Sequence, residues 1–178
     1  MKELSLHIID ILQNSITAGA TLIGLEVLEN ISDDLLTIRI TDNGCGMDED
    51  LVRRVIDPYT TGRTTRKVGL GIPLFKLAAE NTGGTLTIES QVGKGTVVTA
   101  SFGYSHIDRQ PLGDMAETMH QTVTAHEEID FLYTHTRNEK TFFMDTREIK
   151  KVLDGVSLQI PEVSMWLLEF LREGEADL

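Results

Sequence analysis

The order in which helices and paired strands follow one another constrains this fold more than any other feature of the sequence. Two pairs of runs with alternating apolar residues are each joined by a short polar turn, and helical periodicity precedes each pair. The predicted helices cover residues 3–18, 48–56 and 71–81, and the predicted strands cover 21–28, 35–41, 85–91 and 96–102. Strands joined by short turns pair antiparallel, which excludes a doubly wound parallel sheet. We therefore expect an α+β fold, a two-layer α/β sandwich with helices on one face of a mixed sheet.

The distribution of glycine divides the chain into two predicted domains. Twelve of the 15 glycines precede Tyr104, so tight turns are concentrated in the first part. We place one domain over residues 1–104 and a small C-terminal α+β extension of unknown role over 105–178. In the extension, helices are predicted at 114–125, 146–153 and 162–172, and a hairpin at 129–134 and 141–144. The last helix has an apolar stripe that packs onto the body or, as an alternative, forms a partner or homodimer surface.

A net charge of −12 limits the partners of the chain. Lys and Arg number 16 and Asp and Glu number 28, and an acidic surface repels the phosphates of nucleic acids and anionic lipids. The single cysteine, Cys45, excludes an internal disulfide and fits a reducing compartment. No apolar run reaches 18 residues, and the N-terminus lacks the pattern of a signal peptide. We expect a cytoplasmic protein with no membrane partner and with little affinity for nucleic acid.

The first predicted helix carries a pair of polar side chains that suit metal–phosphate chemistry. Asp10 and Asn14 are four residues apart and therefore lie side by side, opposite the apolar face of the helix. An Asn oxygen can bind Mg²⁺ while a carboxylate takes a proton from an attacking nucleophile. The alternative is an ordinary solvated helix face.

A glycine-containing loop, Asp42-Asn43-Gly44-Cys45-Gly46, follows the second predicted strand. Two glycines around one residue let the backbone approach a flat ligand closely. A carboxylate at the strand end accepts hydrogen bonds, and so it can select a ring with an exocyclic amine, such as adenine. The alternative is a simple Asp-Asn-Gly turn.

A basic segment precedes the third predicted helix. Its cations are Arg53, Arg54, Arg63, Arg66 and Lys67, and the only acid among them is Asp57. Gly69-Leu70-Gly71 then opens the helix, whose free N–H groups and positive dipole end suit a phosphate. An anionic ligand is therefore indicated, and the alternative is a surface loop with solvated charges.

Four segments in succession resemble the GHKL ATPase superfamily, which includes DNA gyrase B, the Hsp90 chaperone, sensor histidine kinases and MutL mismatch-repair proteins. DILQNSITAGAT resembles the N box, DNGCGM is similar to the first glycine box, and DPYTTG resembles the F-box segment of histidine kinases. VGLGIPLFKLAAENTGGTLTIESQVGKGTVVTASF is similar to their second glycine box and closing hairpin. The resemblance covers about residues 4–102 and is closest to histidine-kinase-like ATPase domains.

This resemblance implies a Bergerat ATP-binding fold that holds ATP and Mg²⁺ under a short lid at about residues 57–68. Asn14 would be the Mg²⁺ ligand, and Asp42 would accept the adenine amine. The other implied ATP-binding residues are Gly44 and Gly46 at the base, Gly69, Leu70 and Gly71 at the phosphates, Thr61, Arg63 and Lys67 in the lid, and Thr99 near adenine.

Two positions depart from the family pattern. Asp10 stands where many members have a general-base Glu, and its shorter side chain predicts slow hydrolysis or none. Gly62-Arg63 replaces the common lysine of the family's TTK motif, so the resemblance does not identify which cation contacts the terminal phosphate.

We expect an ATP-binding, histidine-kinase-like regulatory protein. Mg-ATP would support phosphotransfer to a separate partner protein, on histidine or serine, or nucleotide-gated control of that partner. Only three residues precede Leu4, so the dimerisation and phospho-acceptor domain of a sensor kinase is not expected here. The alternatives are a non-catalytic ATP-binding switch and a MutL-type or gyrase-type ATPase clamp on DNA, against which the charge of −12 argues.

Overall fold

The computed structural model describes residues 2–57 and 69–178. This part of the chain contains six α-helices and six strands. The helices are α1 (Leu4–Thr17), α2 (Glu49–Ile56), α3 (Gly71–Glu80), α4 (Met115–Ala125), α5 (Thr146–Leu153) and α6 (Pro161–Ala176). The strands are β1 (Leu22–Asn30), β2 (Leu35–Asp42), β3 (Leu86–Gln91), β4 (Gly95–Gly103), β5 (Asp130–Arg137) and β6 (Lys140–Asp145). Each predicted element is present, with ends that differ from the prediction by a few residues.

The six strands form one sheet in the order β3-β4-β2-β1-β5-β6. The pairs β1–β2, β2–β4, β3–β4 and β5–β6 are antiparallel, and the pair β1–β5 is parallel. The sheet is therefore mixed, as predicted. Its central strand β1 pairs on one side with the strand that ends at Asp42 and on the other side with a strand of the C-terminal extension.

One face of the sheet is buried and the other is open. Residues of the same parity point to one face of a strand, and on β1 the buried set is Ile23, Leu25 and Val27. Leu25 and Val27 lie opposite Ile40 and Ile38 of β2 in the antiparallel register. Leu4, Ile8, Ile11 and Leu12 of α1 are buried in the same core. The predicted two-layer α+β sandwich is confirmed.

Residues 105–178 add strands to the sheet and helices to the helical layer. β5 adds to β1 over eight residue pairs, and α4 packs against both α1 and α6. The buried residues of both parts form a single hydrophobic cluster. The predicted boundary near residue 104 stays a prediction, and the parts of the chain on either side of it contribute strands to the same sheet. Among the described residues, no helix is both long and apolar enough to cross a bilayer.

Candidate functional site

A cavity of about 330 Å³ lies where α1, the loop after β2, α2 and the start of α3 meet. Most of its wall is apolar, including Ile11, Leu51, Val55 and Ile72. The polar and glycine positions of the lining come from several parts of the chain: Asn14, Ser15, Asp42, Gly46, Gly69 and Thr96. An apolar pocket with a few convergent polar groups is the usual form of a small-ligand site.

Asp42 is held in a fixed orientation at the end of β2. Its Oδ2 accepts a hydrogen bond of 2.6 Å from the Ser15 hydroxyl, and its Oδ1 accepts one of 2.9 Å from the Gly44 N–H. A carboxylate can accept about four hydrogen bonds, so capacity on both oxygens remains for a ligand. Ser15 is itself buried. Sequence analysis missed Ser15, although its position next to Asn14 at the border of the apolar helix face was a usable signal.

The two glycines of the loop after β2 are required by contacts within the protein. A Cβ at Gly44 would lie 2.8 Å from the Ala18 Cβ. A Cβ at Gly46, which has a φ of +71°, would lie 2.0 Å from the carbonyl oxygen of Gln91. Gly46 lines the cavity, whereas Gly44 is buried behind it. These contacts explain both glycines, and their predicted role at an adenine base stays a prediction.

The polar side chains His7, Asp10 and Asn14 of α1 have different surroundings. Asn14 is exposed and lines the cavity. His7 is buried and stacks on Phe75 with a centroid distance of 5.4 Å, and this burial lowers the pKa of its imidazole. Asp10 lies between them and is half-buried. A uniformly solvated helix face is therefore excluded, because α3 packs over His7 in the first turn of α1.

Asp10 lies beside the N-terminus of α3. A Cβ at Gly71 would be 3.2 Å from the Asp10 Cβ and 3.8 Å from its Oδ2, so the absence of a side chain at Gly71 allows the two helices to approach. No side chain among the described residues caps α3, whose N-cap residue is Leu70. Gly69 lines the cavity, while Leu70 is about half exposed. The unpaired N–H groups of a first turn favour an anion at this position.

The expected position of Thr99 needs correction. Thr99 lies opposite Arg39 and Thr87 on the open face of the sheet, away from the cavity. Thr96 is three residues before Thr99 on β4, so its side chain points to the other face of the sheet, where it lines the cavity. Its hydroxyl is 2.8 Å from that of Ser90. Strand alternation could have identified Thr96, because it has the parity of the buried residues Val98 and Ala100.

Three of the predicted ligand contacts, Thr61, Arg63 and Lys67, lie outside the described residues, as does most of the expected lid.

Of the basic residues before the lid, Arg54 forms an ion pair of 3.0 Å with Asp50, one turn earlier on α2. No cluster of three His, Cys, Asp or Glu side chains within residues 2–57 and 69–178 could hold a metal ion alone.

Comparison with known proteins agrees with this geometry. The family described as histidine kinase-, DNA gyrase B-, and HSP90-like ATPase matches residues 2–105, and the chain belongs to this family. The predicted membership of the GHKL superfamily, on its histidine-kinase-like side, is thereby confirmed.

Two curated relatives are sensor histidine kinases. The chain is 32% identical over 75 residues to the sensor histidine kinase CitA of Klebsiella pneumoniae, covering 42% of this chain and 14% of that protein. It is 33% identical over 82 residues to the sensor histidine kinase YxdK of Bacillus subtilis (strain 168), covering 44% of this chain and 25% of that protein. The match therefore spans a quarter or less of the length of each relative.

Among solved structures, the chain is similar in fold to the Aquifex aeolicus MutL ATPase domain complexed with ADP. The TM-score is 0.51 at 14% sequence identity, with 86% of this chain and 70% of that chain covered. At this identity the likeness concerns the fold alone.

Proposed function

We propose that this protein binds Mg-ATP in the cavity between α1, α3 and the loop after β2, and uses it to phosphorylate or to control a separate partner protein. The observation that carries the proposal is the convergence of Asp42, Asn14, Gly46 and the N-terminus of α3 around one apolar cavity in a chain of this ATPase family. The ADP complex of the MutL ATPase domain, which has the same fold, supports an adenine nucleotide as the ligand.

Asp42 is the group that we propose for adenine selection. Its carboxylate is oriented by Ser15 and Gly44 before any ligand arrives. Such a fixed acceptor favours a ring that donates from an exocyclic amine and disfavours guanine, which presents a carbonyl oxygen at the equivalent position. We therefore expect ATP and ADP to bind more tightly than GTP.

Asn14 is the residue that we propose as the Mg²⁺ ligand. Mg²⁺ prefers oxygen donors and usually keeps several waters and phosphate oxygens in its shell. One exposed amide oxygen on the cavity wall fits this preference, so Asn14 would hold the ion, and the ion would neutralise charge on the phosphates. Asp10, one turn earlier and beside Gly71, is the candidate base for an attacking hydroxyl or water.

Binding is tested by calorimetry with ATP, ADP and GTP, each with and without Mg²⁺. Asp42→Asn should weaken ATP binding at least about tenfold, because an amide cannot accept from Ser15, Gly44 and adenine together. Glu26→Gln removes the same charge on the open face of the sheet and should leave the affinity unchanged. Absence of heat and of thermal protection with ATP would refute the proposal, as would equal affinities for Asp42→Asn and the native chain.

Turnover is tested separately with labelled ATP and candidate partner proteins. Asp10→Asn should leave binding nearly intact and remove any phosphate release or transfer, so turnover that survives this change excludes Asp10 as the base. Tight binding without released phosphate or labelled protein favours the non-catalytic switch. Slower migration of DNA in a gel when the protein is added at physiological salt would favour the MutL-type or gyrase-type clamp.

A further inference from the structure

The two edges of the sheet differ in how well they resist pairing with another strand. An unpaired edge strand offers a row of free N–H and C=O groups, and charged residues along it normally discourage association. At one edge, β3 carries the exposed Glu89 in its middle. At the other edge, the middle of β6 is Thr141-Phe142-Phe143-Met144, with charges only at its ends, Lys140 and Asp145. Among the described strands β6 pairs with β5 alone, which leaves its other side open.

The free backbone groups of β6 can be assigned from the register. A two-residue turn, Asn138-Glu139, joins β5 to β6, and Arg137 lies opposite Lys140. The pair that closes such a turn is hydrogen-bonded, and hydrogen-bonded pairs then alternate with unbonded ones along the ladder. The N–H and C=O groups of Lys140, Phe142 and Met144 therefore face β5. The N–H and C=O groups of Thr141 and Phe143 and the N–H of Asp145 face outward, while the carbonyl of Asp145, the N-cap residue of α5, accepts the first hydrogen bond of that helix.

Exposed apolar side chains flank this free edge. On the open face, Phe143 is 55% exposed. On the helix-covered face, Phe142 packs on Phe170 of α6 with a centroid distance of 5.4 Å, and Trp166 stacks on Phe170 at 5.5 Å. Trp166 and the adjacent Met165 are 47% and 64% exposed. Contacts between aromatic rings thus link the edge strand to the exposed apolar residues of the last helix.

We propose that β6 is a homodimer interface, in which a second copy of this chain adds its own β6 antiparallel across a twofold axis at Phe143. An axis perpendicular to the sheet keeps the same faces together, so Phe143 lies opposite Phe143 of the second copy. Thr141 lies opposite Asp145 of that copy, and Phe142 opposite its Met144. This register gives two hydrogen bonds in the central Phe143 pair and one, from the Asp145 N–H to the Thr141 carbonyl, in each flanking pair.

A second copy fits this edge because the strand complements itself. Aromatic and apolar residues meet their like on both faces, which stabilises an antiparallel pair. Lys140 and Asp145 are at opposite ends of the strand, and Asp145 is already paired with Arg147 at 3.0 Å, so the antiparallel arrangement places no like charges opposite one another. The opposing force is the net charge of −12 on each copy. Since salt screens this repulsion and leaves apolar contacts intact, the dimer should become tighter as ionic strength rises.

Disulfide crosslinking tests the register. In a hydrogen-bonded antiparallel pair the Cα atoms are about 5.5 Å apart, a distance that a disulfide spans. With Cys45 replaced by Ser, the Phe143→Cys variant should therefore form a crosslinked dimer under mild oxidation. The control Thr141→Cys is on the same face and strand, but its two Cα atoms would be about 14 Å apart. Crosslinking of both variants to the same extent, or of neither, would overturn the proposal.

Sedimentation equilibrium of the full chain tests the interface independently. The native chain should dimerise, more tightly at 0.5 M than at 0.05 M NaCl (about 4 Å and 14 Å Debye length). Phe143→Lys should raise the dimer dissociation constant at least about tenfold, and Thr87→Lys on the other edge should not change it. Circular dichroism confirms that each variant is folded. A native chain that stays monomeric at both salt concentrations, or a dimer that only Thr87→Lys weakens, would overturn the proposal.

Discussion

A buried imidazole links the last helix to the centre of the sheet, and its charge gives a quantitative prediction of stability against pH. The two ring nitrogens of His135 on β5 are 2.7 Å from a carboxylate oxygen of Glu175 on α6 and 2.9 Å from one of Glu29 on β1. The Tyr133 hydroxyl donates a hydrogen bond to Glu175. His135 is only 4% exposed, so solvent weakens these interactions little.

The magnitude follows from the proton affinity of His135. Burial opposes its charged form, but hydrogen bonds to Glu175 and Glu29 outweigh burial and raise the pKa from 6.5 to about 9. Each tenfold change in proton affinity is worth about 1.4 kcal/mol, so the stabilisation is about 3 kcal/mol. Because the folded-state pKa is raised, this stabilisation is fully present below pH 6.5 and is lost as the pH rises through 9. The hydrogen bond to His135 lowers the pKa of Glu29, and this shift affects the stability of the fold only below about pH 4.5.

Urea unfolding at pH 6 and at pH 9.5 measures this effect. The free energy of unfolding of the native chain should fall by about 3 kcal/mol more than that of the double variant Glu29→Gln, Glu175→Gln, in which His135 has no carboxylate partner. Contributions from other groups that titrate in this range are the same in both proteins and cancel. The same loss of stability in both proteins would refute the assignment of a charged His135.

Three further predictions concern the candidate site. Gly46→Ala should lower the free energy of unfolding by at least about 2 kcal/mol more than Gly93→Ala. Both glycines have a positive φ, but only the Cβ at Gly46 would meet backbone, at 2.0 Å from the Gln91 oxygen; equal losses in urea unfolding would contradict this. Ser15→Ala should weaken ATP binding about tenfold in calorimetry, since Asp42 loses the donor that orients it, and an unchanged affinity would remove Ser15 from the site. Thr96→Val should weaken ATP binding and Thr99→Val should not, because only Thr96 lines the cavity; the reverse order would restore Thr99.

Local patterns in the sequence predicted most of the fold. Hydrophobic alternation located the strands, and turn residues located the hairpins, because both reflect interactions between residues close in the chain. The parallel pairing of β5 with β1 was not predicted. It joins Leu22–Glu29 to Asp130–Arg137, more than 100 residues apart, and no local signal specifies which strand a hairpin will join.

The sequence indicates those residues of the candidate site that belong to a short local motif. It does not indicate residues that reach the site through a contact between two distant elements. Asn14 and Asp42 belong to short motifs, and the structure brings both to one cavity. The hydrogen bond from Ser15 to Asp42 spans 27 positions in the chain, so the sequence shows the donor and the acceptor but not their proximity. Thr99 is a different case, because strand alternation alone places it on the face opposite to that of Val98 and Ala100.

The position of β1 makes the C-terminal extension part of the structural support of the site. β1 holds β2 in place over eight residue pairs and pairs over eight more with β5. At one end of β1, the Asn43 side chain accepts hydrogen bonds from the Thr21 and Leu22 N–H groups, which fixes the loop that contains Gly44 and Gly46. At the other end, Glu29 binds His135. Removing residues 105–178 would turn β1 into an edge strand and expose one side of the core, so the segment that matches the ATPase family depends on the extension for its packing.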